Sequence, residues 1–162
     1  MASTYIHNGV LIDGRGGAPI PDAAVLVEDN RIRAAGAVTG VPRPAGDVTL
    51  LDAQGGYILP GFIDTHVHVM TEGIDVIKDM QTPFSMRFYN AMNHLRRTLE
   101  AGLTSVRDAG GADAGVKRAV ETGVIAGPRL QISISALTIT GGHGDGWMLS
   151  GGEYEMFPAY PG

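Results

Sequence analysis

Two patterns of apolar and polar positions divide the chain. Up to about Gly56, apolar residues come in short β-branched runs separated by turn signals. Residues 5–11 form a run broken at Asn8-Gly9, and Asp13-Gly14-Arg15-Gly16-Gly17 is a loop. Ala23-Ala24-Val25-Leu26-Val27 reaches Glu28-Asp29-Asn30 and turns into Arg31-Ile32-Arg33-Ala34-Ala35. Val48-Thr49-Leu50-Leu51-Asp52 and Tyr57-Ile58-Leu59 continue in that style. Closely spaced short strands of this kind predict a small β-sandwich or meander over residues 1–59. From Pro60-Gly61 the periods lengthen. Residues 62–69 are β-rich, and Phe88, Met92, Leu95 and Leu99 recur at helical spacing, which predicts a helix over 85–101 capped by Ser85 and stopped by Gly102. Leu103-Thr104-Ser105-Val106-Arg107-Asp108 reads as a strand. A helix capped by Asp113 follows through Val116, Ala119 and Val120, then a third strand over 130–140 and the loop Gly141-Gly142-His143-Gly144-Asp145-Gly146. The tail, 151–162, shows no periodicity. Strand, helix, strand, helix, strand in residues 60–162 predicts a parallel sheet with crossover helices.

Composition narrows the chemistry. The 162 residues are 44% apolar and 18% charged, which suits a buried core and excludes general disorder. Net charge is -5, from 12 basic and 17 acidic side chains. No basic stripe accompanies it, so nucleic acid is not the expected partner. There is no cysteine, so a metal site must use His and carboxylate. No signal-like leader and no membrane-spanning apolar run is visible, and a soluble cytoplasmic protein with no membrane partner is the expectation. The 24 glycines sit at the ends of apolar runs, where tight connections need them.

His66-Val67-His68 carries the most chemistry. Residues i and i+2 of a strand share a face, so both imidazoles can converge on one cation while Val67 packs the other way. Asp64 lies on the same face and can orient an imidazole or a loop from the outer shell. A bare His-X-His also arises on surface strands, and its position is what gives it weight. It sits near the C-terminal end of the first strand of a βα series, where β/α barrels place their chemistry.

In that setting Leu59-Pro60-Gly61-Phe62-Ile63-Asp64-Thr65-His66-Val67-His68 resembles the signature of the amidohydrolase superfamily, in which a β-sandwich leads through Pro-Gly into the first barrel strand. Asn8-Gly9 with Ile12-Asp13-Gly14, Val27-Glu28 with Asn30-Arg31-Ile32, and Asp52-Ala53 before Gly56 resemble its N-terminal sandwich. Ala101-Gly102-Leu103-Thr104-Ser105-Val106-Arg107-Asp108 resembles the second barrel strand. Gly127-Pro128-Arg129-Leu130 and Thr140-Gly141-Gly142-His143-Gly144 are similar to the branch with imidazolonepropionase-like proteins and Xaa-Pro dipeptidases.

The resemblance implies a TIM-type (β/α)8 barrel present through its first three βα units, with the remaining strands in the same gene product or a partner chain. It implies one or two divalent metals, zinc above all, with His66 and His68 as ligands and activated water cleaving the C–N bond of a dipeptide-like or cyclic amide substrate. A carboxylated lysine, two histidines and an aspartate from later strands complete such centres. None is assignable here, because Lys78 and Lys117 fall in or beside predicted helices, and His7 and His94 read as structural or solvated. His143 either contacts substrate or packs against Trp147. Asp108 is either an outer-shell group or a partner of Arg107. The chain alone is expected to be inactive, and a homo-oligomer is open. A deaminase of the same superfamily would use the same histidine pair. A non-catalytic module docking through its open sheet edge, or a structural subunit, are the readings from other classes.

Overall fold

The computed structural model describes residues 3–73, 75–147 and 151–153. The tail expected to lack periodicity lies for the most part outside them. Two compact units emerge, Met1–Pro60 and Gly61–Gly162.

The first unit is one mixed sheet. Its strands are β1 (Ser3–Leu11), β2 (Ile20–Glu28), β3 (Arg31–Ala37), β4 (Val48–Asp52) and β5 (Tyr57–Ile58). The order is β3-β2-β1-β4, and β5 also pairs with β1. β1–β2 and β2–β3 are antiparallel, whereas β4 and β5 run parallel to β1. Asp29 and Asn30, with φ of 46° and 65°, give β2–β3 the two-residue turn whose twist matches a hairpin. Asn8 (φ 57°) marks a register shift between Ile6 and Gly9, which is why the apolar run breaks there. A side chain at Gly9 would meet Ile58 and Ala53 within 2.9 Å, so glycine is what lets β1 approach its neighbours. The expected sandwich is a single sheet among the described residues, apolar on both faces. Tyr5, Ala24, Leu26 and Val41 form one core, and Leu11, Ala23 and Val25 the other. The physical reason is β2, whose four consecutive residues Ala23 to Leu26 are all buried, so it serves both sides at once. Beside it, Asp52 accepts from the Gln54 N–H at 2.8 Å and the Asn8 amide at 2.7 Å. These two bonds hold its carboxyl below the usual carboxylate range.

The second unit contains β6 (Phe62–Val67), α1 (Val76–Gln81), α2 (Phe84–Glu100), β7 (Leu103–Asp108), α3 (Ala114–Glu121) and β8 (Arg129–Ile132). β6, β7 and β8 form a parallel sheet in that order. This is two complete crossovers and a third strand; no helix follows β8 among the described residues. Helix α2 begins at Phe84 behind Pro83, with no side-chain cap. Ser85 therefore lies inside the first turn, because the extended backbone of Pro83 (ψ 139°) already sets the helix entry. Gly102, at φ 87°, does end α2, and Asp113 caps α3 by accepting from the Val116 N–H at 2.7 Å. Leu95, Ala91, Val106, Val116, Val69, Met70, Ala112 and Leu130 form the core between sheet and helices.

The third strand is shorter than its composition suggests. β8 pairs with β7 only to Ile132, opposite Asp108, and the last ladder-like bond runs from the Ser133 N–H to the Asp108 carbonyl at 3.2 Å. With β7 ended, the β-branched run beyond has no strand to pair with, and Ile134 turns to φ 67°. Propensity alone does not extend a strand past its partner.

Where the chain enters β6, a Cβ on Gly61 would fall inside the Thr104 side chain, 2.6 Å from its Cβ. Gly61→Ala is expected to destabilise this unit by about 1–3 kcal/mol through overpacking. Urea unfolding followed by helical circular dichroism measures it, and an unchanged midpoint would contradict the close approach.

Candidate metal centre

β6 delivers the histidines. His66 is its second-last residue, and His68 stands one position past the last, Val67. Val67 packs against the core below the sheet, while the rings of His66 and His68 meet edge to face with centroids 5.3 Å apart. Both line a cavity of about 290 Å³ with His143, Gly144, Ala109 and the Ala136–Leu137–Thr138 wall. The structure thus brings three of the histidines together: the HxH pair from β6 and His143 from the glycine-rich loop. His66 and His143 are exposed and His68 is half-buried.

The ring of His68 is anchored on one side. Its Nδ1 lies 3.0 Å from the Gly110 carbonyl oxygen. A carbonyl only accepts, so Nδ1 is the donor in this contact. Metal-ligating imidazoles almost always donate their other ring N–H in this way. Two imidazoles bonded at ~2.0–2.1 Å to one tetrahedral cation place their centroids roughly 5 Å apart, and the observed spacing agrees. The pair therefore fits as part of a zinc donor set. It is not a complete one: among the described residues no group of three His, Asp or Glu side chains can hold an ion together.

The acidic residues act on backbone. Asp64 accepts from the His66 N–H at 3.0 Å, so it steadies the main chain of the ligand strand and its bond goes to no imidazole. Asp108 is wholly buried. It accepts from the Val69 N–H at 2.8 Å, the Gly110 N–H at 3.0 Å and the Ala112 N–H at 3.2 Å. The alternative pairing with Arg107 does not form, since the Arg107 Nε donates to the Thr65 carbonyl at 2.7 Å. His94, read from sequence as structural or solvated, donates from Nδ1 to the Val69 carbonyl at 3.0 Å. Its signal was its place three residues after Ala91 and one before Leu95, both buried.

Neither lysine belongs to the cavity. Lys78 pairs with Glu72 at 2.9 Å and Lys117 with Glu121 at 3.7 Å. The Glu72 carboxylate, by hydrogen bond and charge, raises Lys78 above the usual ammonium range, and Lys78 in turn lowers Glu72. His7 lies in the first unit, its ring centroid 6.1 Å from that of Tyr5.

The chain that carries this histidine pair matches known proteins. Residues 57–156 match the Amidohydrolase family, and the chain belongs to that family. Ochratoxinase of Aspergillus niger is 31% identical over 154 residues, covering 93% of this chain and 32% of that protein. Imidazolonepropionase of Mycolicibacterium smegmatis is 32% identical over 141 residues, covering 87% of this chain and 32% of that protein. Among solved structures, a prolidase complexed with N-methylphosphonate-L-proline superposes with a TM-score of 0.80 at 34% identity, over 96% of this chain and 37% of that one. The chain spans about a third of the length of the relatives it matches. Among the described residues, no helix is long and apolar enough to cross a membrane.

Proposed function

We propose that this chain carries the first two metal ligands, His66 and His68, and one substrate contact, His143, of a metal-dependent hydrolase that cleaves a C–N bond in a peptide-like or cyclic amide. The observation that carries the reading is the convergence of the three imidazoles on one cavity beside the C-terminal ends of β6 and β7. His66 and His68 would hold a divalent cation there, zinc being one that imidazole donors suit, and when bound it would supply Lewis acidity toward a carbonyl oxygen and water. The chain's own contribution is positional. His68 is anchored by donating from Nδ1 to the Gly110 carbonyl, and Asp64 steadies the main chain at His66. His143, on a loop flanked by Gly142 and Gly144, can donate a proton in a hydrogen bond to a substrate carbonyl or carboxylate. The family membership of the chain supports hydrolysis, and the prolidase complex with its proline-containing ligand supports a peptide-like substrate.

The remaining ligands and the proton shuttle are proposed to come from further barrel strands, on the same polypeptide or a partner. Two imidazoles fall short of the three protein ligands of a catalytic zinc, and a positioned proton shuttle contributes about 10²–10⁴-fold. The 162-residue chain with zinc supplied is therefore expected to show no enzymatic turnover of dipeptides or cyclic amides. Robust turnover abolished by His66→Ala would show that the ligand set within these residues is complete.

A further inference from the structure

Two bonded routes lead from one buried carboxylate to His68. Through Oδ2, Asp108 accepts from the Val69 N–H, which is the far end of the peptide that His68 begins. Through Oδ1, it accepts from the Gly110 N–H, and the carbonyl of Gly110 receives the His68 ring. The same carboxylate thus fixes the main chain just after His68 and the residue that orients its imidazole. Val69 is held from its other end as well, where its carbonyl takes the Nδ1–H of His94 from α2. Val69, Gly110 and Asp108 are all buried, so water does not compete for the bonds from Val69 and Gly110 to the carboxylate, whereas the two histidine contacts are part-buried.

We propose that Asp108 and His94 are positioning residues for His68, clamping the Val69 and Gly110 backbone so that the ring is held with its proton on Nδ1. Free neutral imidazole favours the proton on Nε2, so a ring that donates from Nδ1 needs a fixed acceptor, which the Gly110 carbonyl supplies. The chemistry explains the residue types. Val69, Gly110 and Ala112 present three N–H donors to the two oxygens of one side chain, and only a carboxylate accepts at both. An amide of the same shape would turn its NH₂ toward at least one of them. The purpose of the clamp rests on the metal-hydrolase reading, whereas its geometry concerns His68 alone.

The test is the tautomer of His68 in the ¹⁵N-labelled 162-residue chain, read from long-range ¹H–¹⁵N correlations at a pH where that ring is neutral, with zinc affinity measured alongside. Wild type is expected to show protonated Nδ1. Asp108→Asn and His94→Phe are expected to shift the ring toward protonated Nε2 and to weaken zinc binding by about 10–100-fold, the usual loss for an outer-shell partner. His94→Asn, which keeps a donor close to the position of Nδ1, is expected to restore both. If Asp108→Asn does not fold, the two His94 variants decide. Folded variants that retain the wild-type tautomer would overturn the clamp, whatever zinc does. Failure of zinc to bind the wild type would instead count against the metal reading, with the tautomer comparison still deciding the clamp.

Discussion

Asp108→Ala is expected to destabilise the α/β unit by about 4 kcal/mol or more, the largest effect of any single substitution proposed for this chain. The carboxylate is wholly buried and takes three backbone N–H groups. Alanine leaves all three donors without an acceptor, and each unsatisfied buried group costs about 1–3 kcal/mol. Against a total stability of about 5–15 kcal/mol for an ordinary domain, that approaches the whole margin. The three α-helices of the described residues all lie in this unit, so the loss is visible as helical circular dichroism during urea unfolding. A cost below about 1 kcal/mol would show that water replaces the carboxylate and that its bonds do not hold the loops.

Leu95→Ala is expected to cost about 3 kcal/mol by a different route. Leu95 is fully buried in the core between α2 and the sheet. A Cβ built on Gly127 would already lie 3.0 Å from the Leu95 Cβ, so the chain packs closely around this side chain. Truncation removes the transfer energy of the lost carbons and leaves a cavity the neighbours only partly fill, at about 2–5 kcal/mol for such sites. Met92, on the same helix, is 44% exposed, and Met92→Ala should cost well under half as much. Equal midpoints for the two variants would contradict the assignment of the buried face of α2.

Much of the α/β unit is legible in the sequence. The spacing of Phe88, Met92, Leu95 and Leu99 marks the helix, although only Leu95 of the four is fully buried and Met92 and Leu99 stay exposed, and Gly102 ends it because a residue at φ 87° rarely bears a side chain. Placing His66 and His68 together required only the two-residue period of a strand. What periodicity does not carry is the identity of long-range partners. The bond from Val69 to Asp108 spans 39 residues and that from His94 to Val69 spans 25; the partner in each leaves no local signature, so the sequence leaves Asp108 between an outer-shell role and Arg107 and marks His94 only as structural or solvated. The end of β8 was hidden for a related reason: it is set by where β7 stops, not by the β-rich residues of the strand itself. The single sheet of the first unit was obscured because short alternating strands look alike whether they form one layer or two.

If His66 and His68 are ligands to one divalent cation, zinc X-ray absorption on the chain loaded with one equivalent of metal will show it. Two imidazole nitrogens are expected at ~2.0–2.1 Å, with one lost in His66→Ala, one lost in His68→Ala, and both lost in the double variant. Imidazole scattering that is absent from the wild type, or unchanged in the double variant, would contradict it.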